Sequence, residues 1–398
     1  MIKRITIEYY VLTALSCAGH SVICATYVMY LLSHGLDLFQ VNMVNFAFFL
    51  TLFIAEIPTG AFADVFGRKM SFIVSCILFS FGMLIYALSD TIYGFITAEV
   101  VGAIGATFAS GAFRAWFVDK LRHYGYDGKL DRIFSRASLI GSVTQIIFAA
   151  LGGFLADISN VLPWYAASFL TLVCGFVAMF LKEEYFVKQK FSFKDGLLTM
   201  KQTVISSVRY GYKEEKVRFV LVLVVAQILA VQATNMEWQP FFKQWLPSQT
   251  SLGYLFSAIS VSAMVGAWLA PKILWKLKCQ RKTLAVFQVI IGFGIVFSAI
   301  SSSFIITIIA FLLHEVARGA FSPIKDAYLH ENIPSKERAT IESFESLAHH
   351  LGGAVGLLLT GVLAKNLGMS LTWIISGLFL VLFTVFVTKR RINQTVVK

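Results

Sequence analysis

Twelve membrane-spanning helices in two related bundles of six, an all-α integral membrane fold, is the architecture this sequence predicts. Three observations carry that expectation. The chain is 57% hydrophobic and 14% charged, with a mean hydropathy of +0.74, which leaves too little polar surface for a soluble domain of its length. Apolar stretches close to the roughly 20 residues needed to cross a bilayer recur along its whole length. The basic residues gather in alternate gaps between those stretches.

The first span, 8–34, follows Lys3-Arg4 and stays apolar through Leu32 without a small-residue cleavage pattern. A retained helix is therefore expected rather than a signal peptide. Spans 40–63 and 70–88 flank a polar segment, Gly60-Ala61-Phe62-Ala63-Asp64-Val65-Phe66-Gly67-Arg68-Lys69. Val41–Ile57 before it holds one ionisable residue, Glu56, and Met70–Leu88 after it holds none. The segment is expected to reverse the chain tightly at the membrane surface, where glycine permits close helix packing. Spans 92–118 and 134–157 are divided by the basic run Lys120 to Arg136, and span 162–182 ends where the longest polar interval, Lys182 to Arg218, begins. Spans 217–242, 249–275, 283–300, 303–327, 340–364 and 369–388 follow. The expected organisation is an N-terminal bundle at 1–183, a linker at 184–216 and a C-terminal bundle with a short tail at 217–398. In the linker, Leu197-Leu198, Val204-Ile205 and Val208 can share a face of an amphipathic helix between Phe193 and Tyr212, and a solvated linker fits equally.

The net charge of +12 invites a nucleic-acid reading, but its distribution points elsewhere. With a cytoplasmic N-terminus, nearly every Lys and Arg outside the spans lies on the cytoplasmic side, and only Lys243 and Lys365 fall in outer loops. That asymmetry is the positive-inside pattern, so the charge reports topology, with both termini cytoplasmic and no nucleic-acid partner. The five cysteines (17, 24, 76, 174 and 279) are scattered and give neither a disulfide framework nor a metal cluster. His349-His350, with Glu342 and Glu345, lacks compact metal-ligand spacing, so neither metal nor cofactor is expected. No nucleophile–base pair and no Gly-x-x-x-x-Gly-Lys-Ser/Thr loop occurs, which argues against an enzyme.

Polar groups inside spans are expensive and become candidates for function. Glu315 lies three residues before Arg318, so the two can pair on one helix. Gln232, Asn235 and Gln239 follow i, i+3, i+7 spacing and can share a face. Gln232, Asn235, Arg318 and His20 are candidate lining of a substrate cavity, with Glu237 and Trp238 read as interface residues near the outer surface. Glu56 either braces the loop beside Pro58 or carries a proton.

The two halves repeat. Ser110-Gly111-Ala112-Phe113-Arg114-Ala115-Trp116 corresponds to Ser322-Pro323-Ile324-Lys325-Asp326-Ala327-Tyr328, and Arg136-Ala137-Ser138 to Arg338-Ala339-Thr340. Recurring patterns at matching places argue for internal duplication, and transporters often place a substrate site between such repeats. Arg114 and Asp326 occupy matching positions with opposite charge; they pair as an inner gate, or Arg114 pairs locally with Asp119 or a lipid phosphate.

Over essentially its whole length the sequence resembles the major facilitator superfamily. The segment from Gly60 to Lys69 matches that family's signature between the second and third helices. Glu56-Ile57-Pro58-Thr59-Gly60, Arg318-Gly319 and Ile333-Pro334-Ser335-Lys336-Glu337-Arg338-Ala339-Thr340 resemble bacterial branches rich in exporters. The resemblance implies a twelve-helix transporter of the bacterial inner membrane that works by alternating access, functional as a monomer, with protons and a small molecule as its partners. Proton-coupled export of an amphiphilic drug, siderophore-like metabolite or lipid-related molecule is the expectation, and import or facilitated passage of a nutrient the alternative. It implies a conformational latch at Gly60, Asp64, Gly67, Arg68, Lys69 and Asp119, with Arg68 pairing to Asp119 and Asp64 facing the start of the eleventh helix. The other reading of those charges is a surface ion pair worth under about 1 kcal/mol. The family's fourth-helix arginine, linked with proton coupling, is replaced here by Glu99, a departure that makes a desolvated carboxylate the candidate proton carrier, with Glu315 and Glu56 beside it. The fifth helix has Phe148-Ala149 where the antiporter glycine-proline is expected.

Overall fold

Fourteen helices, and no strand, make up the described residues of the computed structural model, which are 1–183, 214–277, 279–333 and 338–395. They are α1 (Ile2–Cys24), α2 (Tyr27–Ser33), α3 (Leu38–Phe66), α4 (Arg68–Leu88), α5 (Ile92–Ala109), α6 (Ala112–His123), α7 (Asp131–Ile158) and α8 (Leu162–Met179). Then come α9 (Glu215–Lys243), α10 (Gln249–Leu277), α11 (Gln280–Ile300), α12 (Phe304–Asn332), α13 (Arg338–Leu367) and α14 (Met369–Thr395). Twelve stretches are long and apolar enough to span a bilayer, so the chain is a multi-pass membrane protein. Large apolar side chains such as Phe154, Phe169, Phe176, Trp268 and Leu382 are 54–67% exposed, which suits a lipid solvent and not water. The amphipathic segment expected between Phe193 and Tyr212 lies outside the described residues.

Two of the expected single spans are broken. The first divides at Ala25-Thr26 into α1 and α2. The fourth divides at Ser110-Gly111, where Gly111 has φ +69°, a left-handed backbone that glycine adopts without the Cβ penalty. The repeat-related Ser322-Pro323 breaks nothing, because α12 continues through Pro323. The expected reversal over Gly60–Lys69 is also shorter than its sequence suggests. Ala61 to Phe66 are helix-compatible, so α3 runs on to Phe66, and Gly67 alone turns the chain with φ +100°. Gly60 is simply helical, with nothing within 4 Å of an added Cβ.

Helix starts are fixed by short-range chemistry. Asp37 and Gln40 form a reciprocal box ahead of α3, with the Gln40 N–H donating to Asp37 at 2.8 Å and the Asp37 N–H to the Gln40 side chain at 2.9 Å. The Thr91 hydroxyl accepts from the Gly94 N–H at the start of α5. At α10 the cap comes from another helix, for Asp157 of α7 accepts from the Gln249 and Thr250 N–H groups at 2.7 and 2.9 Å.

Contacts divide the chain into two compact units. The first comprises Met1–Leu36, Ala47–Met200 and Leu246–Ser257; the second comprises Asp37–Phe46, Lys201–Trp245 and Ala258–Lys398. In the first, α1 packs on α7 and α8, and α4 packs on α5 and α8. In the second, α9 packs on α13 and α14, and α11 packs on α12 and α14. The same pairing is used twice, as a duplicated sequence requires. Gly82 lets α4 lie against α5, since a Cβ there would come 2.9 Å from the Gly102 nitrogen.

Candidate functional site

In the first unit, one carboxylate is held inside an aromatic cage. Glu99 sits two turns into α5 and is 5% exposed. Its Oε1 accepts from the Tyr27 hydroxyl at 2.6 Å and the Tyr86 hydroxyl at 2.7 Å. The break before α2 turns Tyr27 towards this point, and α4 supplies Tyr86. Tyr86 stacks on Trp164 with ring centres 4.1 Å apart, and the Tyr30 hydroxyl donates to the Tyr86 carbonyl at 3.0 Å. Two phenols thus take the place of water around the carboxylate. Both phenols donate to the same oxygen, so a change of charge on Glu99 alters the strength of the hydrogen bonds that tie α2, α4 and α5 together.

The second unit holds a polar chain instead. Arg318 of α12 donates through Nη1 to Glu315 Oε1 at 2.7 Å and to Asn235 Oδ1 of α9 at 3.1 Å. Asn235 Nδ2 donates to Gln232 Oε1 at 3.0 Å, and Gln232 Nε2 to the Gly353 carbonyl of α13 at 3.3 Å. His314 Nε2 stands 3.3 Å from Glu315 Oε1. Arg318, Glu315, Asn235 and Gln232 therefore join three helices through groups that satisfy one another, the condition for keeping them buried. Beside the chain lies a cavity of about 210 Å³ that Arg318, Gln227, Ser322 and His349 help to line. Its other cation, Lys325, is neutralised by Glu345 and, at 3.0 Å, by Asp326.

A larger cavity, about 650 Å³, opens in the first unit among α1, α6 and α7. His20 lines it, stacked on Phe79 at 3.9 Å with Nδ1 3.1 Å from the Ser16 carbonyl. Arg114 reaches it because the break at Gly111 restarts the helix as α6, and its guanidinium lies over the Phe134 ring at 4.0 Å.

Around Gly67, Arg68 forms an ion pair with Asp119 of α6. The Lys69 N–H donates to Glu183 Oε1 at 3.1 Å, and its ammonium to the Met179 carbonyl at 2.8 Å. Glu183 therefore places a carboxylate on the positive end of α4. Burial pushes its pKa up, against the Lys69 and Arg68 N–H groups and charges that pull it down. Asp64 is exposed and makes no ion pair among the described residues, while the side chains that begin the eleventh span lie outside the description. Glu56 is half-buried in α3, two residues before Pro58.

Two groups escaped the sequence reading. Glu237, expected at the membrane interface, is 0% exposed, and neither carboxylate oxygen receives a hydrogen bond. The Trp373 indole faces it without reaching hydrogen-bonding geometry. The available signal was Trp373 itself, which starts the twelfth span much as Trp164 starts the sixth. The second group is Lys120, whose ammonium bonds Glu8 Oε2 at 2.7 Å and pins α6 to α1. Among the described residues no cluster of metal ligands occurs.

Comparison with known proteins agrees with the architecture. The family model described as Major Facilitator Superfamily matches residues 9–299 and 248–395. The chain is 22% identical over 387 residues to the uncharacterized MFS-type transporter YxaM of Bacillus subtilis, covering 94% of this chain and 93% of that one. It is 23% identical to Multidrug resistance protein 2 of the same organism, over 80% of this chain and 78% of that one. Among solved structures, the nucleoside transporter NupG superposes with a TM-score of 0.81 at 13% identity, covering 97% of this chain and 98% of the other. That last likeness speaks for the fold alone.

Proposed function

The chain belongs to the Major Facilitator Superfamily, is a membrane transporter rather than an enzyme, and on that premise we propose that it exports a small amphiphilic compound in exchange for protons by alternating access. The observation that carries the reading is Glu99, a buried carboxylate inside the fourth span whose bonds, among the described residues, come from two phenols that can let go. Protonation of Glu99 removes a charge costing about 2.5–3.5 kcal/mol at a helix centre and frees Tyr27 or Tyr86 to repack. That couples one proton to a rearrangement among three helices. Glu315 is the weaker carrier, since Arg318 already holds it in an ion pair, and Glu56 the weakest.

Export is favoured over import by the similarity to a protein named for multidrug resistance. In this reading the sequential halves, 1–183 and 217–398, rock about the 184–216 linker in a bacterial inner membrane, with both termini cytoplasmic and a single chain sufficient. Arg68–Asp119, with Gly60, Asp64, Gly67 and Lys69, latches one state. Arg114 and Asp326 pair when the inner gate closes. Gln232, Asn235, Arg318 and His20 contact the substrate.

The test uses everted membrane vesicles with an acidic lumen, given a fluorescent amphiphile in the outer solution, so that export reads as uptake. Glu99→Gln should abolish gradient-driven transport and flatten its pH dependence while leaving downhill exchange of the amphiphile measurable. Unchanged driven transport in Glu99→Gln would remove Glu99 from the mechanism. Accumulation in the opposite direction would turn the reading to import.

A further inference from the structure

The 650 Å³ cavity of the first unit contains a cation with no carboxylate beside it among the described lining residues. Among the described residues lining it, Arg114 alone carries a charge. Of the acids on neighbouring elements, Asp119 pairs with Arg68 and Glu8 with Lys120 at 2.7 Å and Arg4 at 3.1 Å, while neither Asp131 nor Asp157 of α7 lines the cavity. The local pairing of Arg114 with Asp119, an open alternative at the level of sequence, is thus not what the structure forms. The guanidinium carbon lies 4.0 Å from the centre of the Phe134 ring, a cation–π contact that leaves N–H groups to donate to an acceptor. Facing the same space are the Ser16, Ser138 and Ser142 hydroxyls and the Gln145 amide. Ser138, Ser142 and Gln145 follow i, i+4, i+7 spacing, so α7 presents them together. They are neutral donors around one fixed positive charge, and no carboxylate among the lining residues competes.

We infer that this cavity binds the anionic end of an amphiphile, a carboxylate, sulfonate or phosphate, with Arg114 forming the charge-assisted bonds and the α7 hydroxyls completing the shell. The apolar body lies along Tyr9 and Phe134. Calling the ligand a substrate rests on the transport reading above; the binding site itself does not. A planar fork matched to a two-oxygen anion makes Arg the suited residue here, and lysine a partial substitute.

The experiment measures equilibrium binding of three ligands with one aromatic body, naphthoate, naphthamide and naphthylmethylamine, to purified protein in phosphatidylcholine nanodiscs. Naphthoate should bind roughly tenfold more tightly than naphthamide, the worth of one charge-assisted hydrogen bond, and the amine most weakly. Arg114→Gln should erase the preference for the anion, Arg114→Lys should keep part of it, and Arg132→Gln, an exposed charge at the start of α7 outside the cavity, should leave it unchanged. A second arm adds phosphatidylglycerol. Loss of naphthoate binding there, dependent on Arg114, identifies a lipid headgroup as the source of the anion; unaffected binding identifies a soluble organic acid. If neither naphthoate nor phosphatidylglycerol binds in an Arg114-dependent way, with Arg114→Lys folded and equally indifferent, the inference is overturned. Arg114-dependent binding without any transport would instead leave this site standing and remove the transport reading.

Discussion

Replacing Glu237 by leucine should stabilise the protein. The carboxylate is fully buried and neither oxygen accepts a hydrogen bond. Its surroundings are aromatic, with Phe241 stacked on Trp373 at 4.2 Å and Phe311 at 5.6 Å from the same ring. In the unfolded but inserted chain, Glu237 is less than two turns from the end of α9 at Lys243, close enough for its head to reach the interface and water. Folding therefore strips hydration and returns nothing, a penalty of about 1–3 kcal/mol for an unsatisfied buried polar group. Leucine removes the penalty at similar size, while glutamine keeps it, because an amide is left equally without partners. For a chain this long, 1 kcal/mol corresponds to only about 1–2 °C, below the range for smaller domains. Glu237→Leu should thus raise the midpoint of thermal unfolding in detergent by about 1–5 °C, and Glu237→Gln should not. A midpoint lowered by leucine would refute the reasoning, since it means the carboxylate gains something in the folded state. Loss of driven transport in a Glu237→Leu protein that is more stable than its parent would add Glu237 to the proton-carrying groups.

Other outcomes follow from the same geometry. Lys120→Met leaves Glu8 beside Arg4 alone and should lower stability by about 1–3 kcal/mol, with Lys120→Met/Glu8→Leu recovering most of it; a double variant no better than the single removes the buried pair as the cause. Burial raises the pKa of Asp37, but the Gln40 N–H and the Lys365 ammonium outweigh it and hold the group below the usual carboxylate range. Its stabilising contribution is then present above the unfolded value and lost as pH falls through the folded one. With both partners about half exposed, screening keeps that below about 1 kcal/mol. Asp37→Asn should lower stability slightly at neutral pH, by less than about 1 kcal/mol, and hardly at all in acid, so that the acid limb of the thermal stability profile becomes shallower; a loss in acid as large as that at neutral pH contradicts the assignment.

Sequence periodicity and charge asymmetry were enough to find all twelve spans, because a bilayer demands long apolar runs and tolerates little else. The internal repeat was legible for the same reason, and the paired packing of α1 with α7 and α9 with α13 is its structural counterpart. What escaped was local geometry inside spans. Ser110-Gly111 and Ser322-Pro323 look like equivalent breaks, yet Gly111 ends a helix and Pro323 does not, since a proline whose lost hydrogen bond is tolerated needs no reversal. Gly60 and Gly67 look alike in the signature, but one has a helical backbone and the other a positive φ. Hydropathy also reads depth along a span better than direction around it. Glu237 near a span end looked wet, and only the neighbouring Trp373 from another helix decides that it is not. The reach of Arg318 to both Glu315 and Asn235 joins two elements far apart in sequence, and spacing alone gave only the first of those bonds.

Alternating access, the premise under every role assigned here, is open to a direct check. Ser16, in the 650 Å³ cavity, is replaced by cysteine in a background without the native cysteines, and a membrane-impermeant maleimide is applied to sealed vesicles of each orientation. The account predicts labelling from both faces, with the balance between them shifted by an imposed proton gradient and the shift lost in Glu99→Gln. Labelling confined to one face, whatever the gradient, would contradict it.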